Sequence, residues 1–166
     1  MEGIYSAIPK ECDQLNMHVW LKKVNDREKK MNIIYHNPKY SKASGPYHPA
    51  VEITAGGFRQ LHVSGQGTYD PETGERFLGN MTGQARRAME NLKLVVEGSG
   101  FRLDDVVKVT LYLVHMGDAA RVNDVYREYF SEDRYPARSI VGVRELPGGQ
   151  SIEIDAVAVA ALSGTG

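Results

Sequence analysis

Cysteine is almost absent from this chain: Cys12 is the only one in 166 residues. A lone thiol allows no intramolecular disulfide and no thiolate metal cluster, so the core has to hold by packing alone. Histidine is sparse and scattered. His18, His36, His48, His62 and His115 show no ligand spacing such as HxxxH, and neither a metal nor another cofactor is expected. No apolar run approaches the roughly 18 residues of a membrane span, and the first residues lack the apolar stretch of a signal peptide. The expectation is a cytoplasmic protein with no membrane partner. An excess of one charge is missing too: 20 Lys and Arg stand against 21 Asp and Glu, a net −1. Without a basic stripe or stacking aromatics, nucleic acid is not an expected partner.

What is present suits one globular domain, with 42% hydrophobic and 25% charged residues. Residues 1–30 are polar and end in the mixed-charge run Lys22 to Lys30, which reads as an N-terminal extension with a solvated face. The domain then occupies 31–161, leaving 162–166 as a tail. Met17 to Leu21 alternates weakly and could pair with Met31 to Tyr35 as a hairpin.

Beyond this the pattern sharpens. Val51–Thr54 and Leu61–Ser64 alternate on either side of Ala55-Gly56-Gly57, which predicts a hairpin. Asp70-Pro71-Glu72-Thr73-Gly74-Glu75 predicts a turn. Thr82 is the expected cap of a helix carrying Ala85, Ala88, Met89, Leu92, Val95 and Val96 on one stripe, with Gly98 or Gly100 ending it. Val107, Val109, Leu111 and Leu113 alternate with Lys108, Thr110 and Tyr112 and predict a strand. Asp118 is the expected cap of a second helix, striped by Ala119, Val122, Val125, Tyr126 and Tyr129. Arg138–Val143 and Ser151–Ala160 read as closing strands. The order predicts an α+β domain with two helices covering one face of a mixed sheet. In the last strand Ile152, Ile154, Ala156 and Ala158 point one way, and Glu153, Asp155, Val157 and Val159 the other. The second face carries valines, so an oligomer that covers it is expected.

Several segments, taken in order, resemble the RidA/YjgF family of reactive-intermediate deaminases. They are Ser44-Gly45-Pro46-Tyr47, Val63-Ser64-Gly65-Gln66, Asp70 to Glu75, Gln84-Ala85, Val122 to Tyr126, Tyr135-Pro136-Ala137-Arg138-Ser139, and Ile152 to Ala156. The resemblance implies a chorismate-mutase-like α+β subunit, a homotrimer whose sheets close a barrel, and a small-molecule pocket at each subunit interface.

It also implies site residues. Arg138, taken alone a charge at the start of a strand, matches the family arginine that grips a substrate carboxylate, a role suited to a planar guanidinium. Glu153 matches the glutamate that holds an attacking water. Ser64, Gly65, Tyr47 and Asn123 match residues at or near the pocket, and each also has an ordinary structural reading as a turn, a packing ring or a surface amide. Ser139 follows the arginine. Ile140 stands where the family archetype has a cysteine, and strand parity puts it on the face of Arg138, which predicts a more apolar pocket. Gly65-Gln66-Gly67 lacks the remaining glycines of a nucleotide loop and reads as a turn. The implied activity is hydrolysis of 2-imino or 2-enamino acids to 2-keto acids and ammonia. A non-catalytic trimer that binds keto acids is the alternative, and an endoribonuclease a weaker one.

Overall fold

The computed structural model describes residues 31–39 and 45–162. The extension, with its Met17–Leu21 segment, and Ser44 lie outside the described residues. Six strands form one sheet in the order β1-β2-β3-β6-β4-β5. They are β1 (Asn32–His36), β2 (Ala50–Ala55), β3 (Phe58–Gln66), β4 (Val106–Leu113), β5 (Ala137–Gly142) and β6 (Ile152–Ala161). Two helices, α1 (Met81–Gly98) and α2 (Ala119–Tyr126), cover one face, as the element order predicted.

The β2–β3 hairpin turns at Gly56 and Gly57, whose φ values of 57° and 83° are those a tight primed turn requires. Met31–Tyr35 does contribute a strand, and its partner among the described residues is β2, with Ile33 opposite Ile53. β4 and β5 run parallel while the other neighbours are antiparallel. The sheet is therefore mixed.

The core lies between α1 and the central strands. Leu61, Leu92, Val95, Val96, Leu111, Ile152 and Ile154 are wholly buried. Burying each such side chain is worth about 1.5–3 kcal/mol. The stripe expected on α1 is the buried one: Ala85, Ala88, Met89, Leu92, Val95 and Val96 all face inward. Two polar residues share that inward face, and each ties the helix to a loop. Gln84 donates to the Gly79 carbonyl and accepts from the Ser151 N–H at 2.8 Å. Asn91 donates to the carbonyls of Gly67 and Tyr69 at 2.9 and 2.8 Å.

Three local expectations need correcting. The cap of α1 is Asn80, whose side chain accepts from the Gly83 N–H at 2.9 Å; Thr82 is already inside the helix. In β4, a register shift between Val106 and Lys108 turns Val107 outward, and Val106 takes the buried place. Asp118 does precede α2, but its carboxylate accepts from Arg121 at 2.6 Å instead of capping the backbone.

Among the described residues no helix covers the sheet's other face, the open side, and its parity is the expected one. Glu153, Asp155, Val157 and Val159 all lie there, opposite in direction to the buried Ile152, Ile154, Ala156 and Ala158. Ile33, Ile53, Gln60 and Val159 form one row across four strands. Ile33, Phe58, Val141 and Val159 are 49, 43, 41 and 37% exposed, which leaves a substantial apolar surface. The cap assignment is testable by urea denaturation. Asn80→Ala should lower stability by about 1 kcal/mol, whereas Thr82→Ala should stay within about 0.5 kcal/mol. The reverse order would restore Thr82 as the cap.

Candidate functional site

Strand parity divides the expected site residues between the two faces of the sheet. Arg138 pairs in register with Val109, and Ile140 with Leu111, so both point to the helix side. Ser139 pairs with Thr110 and Glu153 with Tyr112, so both point to the open side. Within one chain, Arg138 and Glu153 do not meet.

On the helix side, a cavity of about 360 Å³ opens between α2 and the start of β5, lined by Asn123, Tyr126, Arg127, Tyr135, Pro136 and Arg138. The Arg138 guanidinium lies over the Tyr126 ring, 4.6 Å from its centre. Such stacking orients the guanidinium while leaving its N–H groups available. Among the described residues, no ion pair joins Arg138 to a carboxylate. Two buried polar atoms of the same wall, Asn123 Oδ1 and the Tyr126 hydroxyl, have no hydrogen-bond partner among the described residues. The amide oxygen can accept and the phenol can donate or accept, so this wall adds hydrogen-bonding capacity to that of the guanidinium. Burial pushes the Tyr126 hydroxyl pKa up to about 12, against the nearby Arg138 charge, and keeps the phenol protonated. Tyr126 was expected on the apolar stripe of α2 and within the family-like segment Val122 to Tyr126, but not as a site residue; its spacing fits both roles.

On the open side, the site rests on a β-bulge. Val63 faces Ala156 and Gln66 faces Ile154, so β3 carries one extra residue between them, at Ser64-Gly65. Bulges of this kind re-aim side chains beside functional sites. Gly65 and Gln66 thus lie in a strand and are not the turn expected from the sequence. The buried Gln66 amide spans the bulge by donating to the Ser64 carbonyl at 2.9 Å. A cavity of about 230 Å³ follows, with Tyr47, Gly65, Arg76, Gln150 and Glu153 in its wall. A side chain at Gly65 would run into the Glu153 carboxylate, so glycine is what lets the acid approach the backbone. Burial raises the Glu153 pKa above the usual carboxylate value and Asp155 adds to this, while Arg76 and Gln150 oppose it.

The remaining expected residues fall outside these clusters. The Ser64 hydroxyl donates to the His48 carbonyl at 2.7 Å, and Ser139 accepts from Lys108 at 2.7 Å. Ile140 is half-buried against the core. Arg76 and Gln150 were not anticipated, because nothing in their sequence neighbourhoods signals that two loops bring them together.

A mixed sheet covered on one face by two helices defines an α+β domain, with an arginine that has no ion-pair partner among the described residues on one side and a shielded carboxylate on the other. Residues 38–160 match the family model described as Endoribonuclease L-PSP. The chain belongs to the RidA/YjgF family and has its chorismate-mutase-like fold. It is 46% identical over 124 residues to protein DfrA of Myxococcus xanthus, covering 75% of this chain and 92% of that one. It is 39% identical over 119 residues to the 2-iminobutanoate/2-iminopropanoate deaminase of Salmonella typhimurium, covering 70 and 89%. Among solved structures, E. coli TdcF with bound serine superposes with a TM-score of 0.67 at 35% identity, covering 77% of this chain and 98% of that one.

If the Tyr126 hydroxyl serves a ligand and not the fold, Tyr126→Phe should leave stability unchanged or slightly raised, since no hydrogen bond is lost. Chemical denaturation measures this; a loss of more than about 1 kcal/mol would mean the hydroxyl has a structural partner.

Proposed function

We propose that the protein is a deaminase that hydrolyses 2-imino or 2-enamino acids to 2-keto acids and ammonia, at sites formed between copies of the chain. The observation that carries this is Arg138: an oriented guanidinium without a carboxylate partner among the described residues, next to two unsatisfied buried polar atoms. A fork of N–H donors suits the carboxylate of such a substrate. Relatives named as imine deaminases support the reaction class, and the serine named with TdcF is likewise an α-amino carboxylate.

Parity keeps Arg138 away from Glu153 of its own chain, so the reading needs a second copy. The open, partly apolar face asks for cover, and a homotrimer of the kind the family resemblance implies supplies it. Arg138, Asn123 and Tyr126 of one copy then face Glu153, Gly65 and Tyr47 of the next. Arg138 holds the carboxylate and orients the adjacent C=N carbon. Water adds to the carbon of the protonated imine while Glu153 takes its proton, giving a neutral carbinolamine. Glu153 returns that proton to nitrogen, then takes the hydroxyl proton as the C–N bond breaks, and ammonia leaves with the keto acid formed. The imine is reactive enough that positioning supplies much of the acceleration.

A binding-only role is the second reading, favoured by the serine named in TdcF, which has no imine to hydrolyse. Loss of freshly generated 2-iminobutyrate, with 2-ketobutyrate binding measured alongside, separates the two. Arg138→Ala should lower kcat/KM roughly 10- to 100-fold, the loss of about 1.5–3 kcal/mol of charge-assisted binding. Glu153→Gln should lower turnover by about 10²-fold or more while binding persists. Because Glu153 acts ionised, activity should fall on acidification through a midpoint above the ordinary glutamate value. Binding without any acceleration by the unaltered protein would sink the enzyme reading.

A further inference from the structure

Glu153 is held by a chain of two side chains that come from separate loops. Arg76 Nη1 donates to Gln150 Oε1 at 2.8 Å, and Gln150 Nε2 donates to Glu153 Oε2 at 3.0 Å. The direction of this chain is fixed by chemistry. Gln150 Oε1 also accepts from the Thr68 backbone N–H at 3.0 Å. A guanidinium and a peptide N–H can only donate, so the amide oxygen must face them, and its NH₂ must face Glu153. With Gln150 itself 2% exposed, the amide has no room to turn.

Two further glycines make the space. A side chain at Gly67 would strike the Gln150 amide, and one at Gly148, whose φ is 71°, would strike Arg76. The Thr68 end is anchored in turn, because Asn91 of α1 holds the carbonyls of Gly67 and Tyr69. The rigid helix thus reaches Glu153 through one loop and one amide. The other carboxylate oxygen, Oε1, is the atom that lies against Gly65 on the bulge.

We propose that Arg76 and Gln150 are positioning residues that tether Glu153 Oε2 and leave Oε1 facing the reaction space. This rests on the reading of Glu153 as the base. The charged and titratable groups facing Glu153 are few. Asp155 lies on the same strand face and opposes ionisation, and its Oδ2 accepts from the Tyr112 hydroxyl of β4 at 2.7 Å. Tyr47 and Tyr69 line the same cavity. Arg76 is the cation that opposes burial and Asp155, in part, at Glu153. Its charge therefore favours the form that accepts a proton from water.

The test uses the full chain and two Arg76 variants, because Gln150→Leu would strand the Thr68 N–H and risk the fold. The side-chain carboxyl of Glu153 is titrated by ¹³C NMR, its signal assigned by loss in Glu153→Gln, and the pH profile of imine hydrolysis is recorded in parallel. Arg76→Met should move the Glu153 midpoint upward and carry the acid limb of kcat/KM with it, with activity recovering at high pH. Arg76→Lys, which restores the charge, should return both part of the way. A midpoint unmoved in Arg76→Met overturns the proposal. A moved midpoint with an unmoved acid limb keeps Arg76 as the residue that tunes Glu153 but removes Glu153 as the base.

Discussion

Strand β6 is hydrogen-bonded along both edges, to β3 and to β4, and its two-residue side-chain period constrains the rest of the molecule. One set of its side chains, Ile152, Ile154, Ala156 and Ala158, fills the space under α1. Alternation then forces Glu153 and Asp155 onto the opposite face, whatever function they serve. A one-residue slip would put two carboxylates into the core and four apolar side chains into water, so register here is under strong energetic control. Because β4 and β5 continue the same sheet, parity also decides that Arg138 goes to the helix side. The separation of arginine from glutamate is a consequence of how the core is packed.

That separation gives the open face its meaning. A sheet covered on one side normally presents alternating polar residues on the other. Here the uncovered side carries Ile33, Phe58, Val141 and Val159 in exposed positions, close to the strand that holds Glu153. An exposed apolar surface and the Glu153 wall lie on the same face. In the proposed reading, the docking of another copy would cover the first and complete the second.

Much of this was legible in the residues because local signals and tertiary packing agree. The Gly56-Gly57 hairpin, the α1 stripe and the two-faced β6 are cases where period, turn chemistry and burial point the same way. The misreadings came where a local irregularity broke the period. The β4 register shift turned Val107 outward, and the bulge at Ser64-Gly65 made a strand end look like a turn. Thr82 and Asn80 are both good capping residues two positions apart, and only the backbone bond to Gly83 chooses between them. Arg76 and Gln150 stayed invisible for a different reason. Their contact spans 74 residues and exists only because Gly67 and Gly148 leave room for it. The resemblance named Arg138 and Glu153 but could not show that one chain keeps them apart.

In the proposed assembly, each working site draws Arg138 from one copy and Glu153 from another. Mixing chains carrying Arg138→Ala with chains carrying Glu153→Gln, by co-refolding or co-expression, tests it directly. Each variant alone should be nearly inactive toward 2-iminobutyrate. The mixture should regain roughly a quarter of the unaltered activity, because random assembly gives that share of interfaces both intact walls. A mixture no more active than its components would mean that the site is not shared between copies in this way.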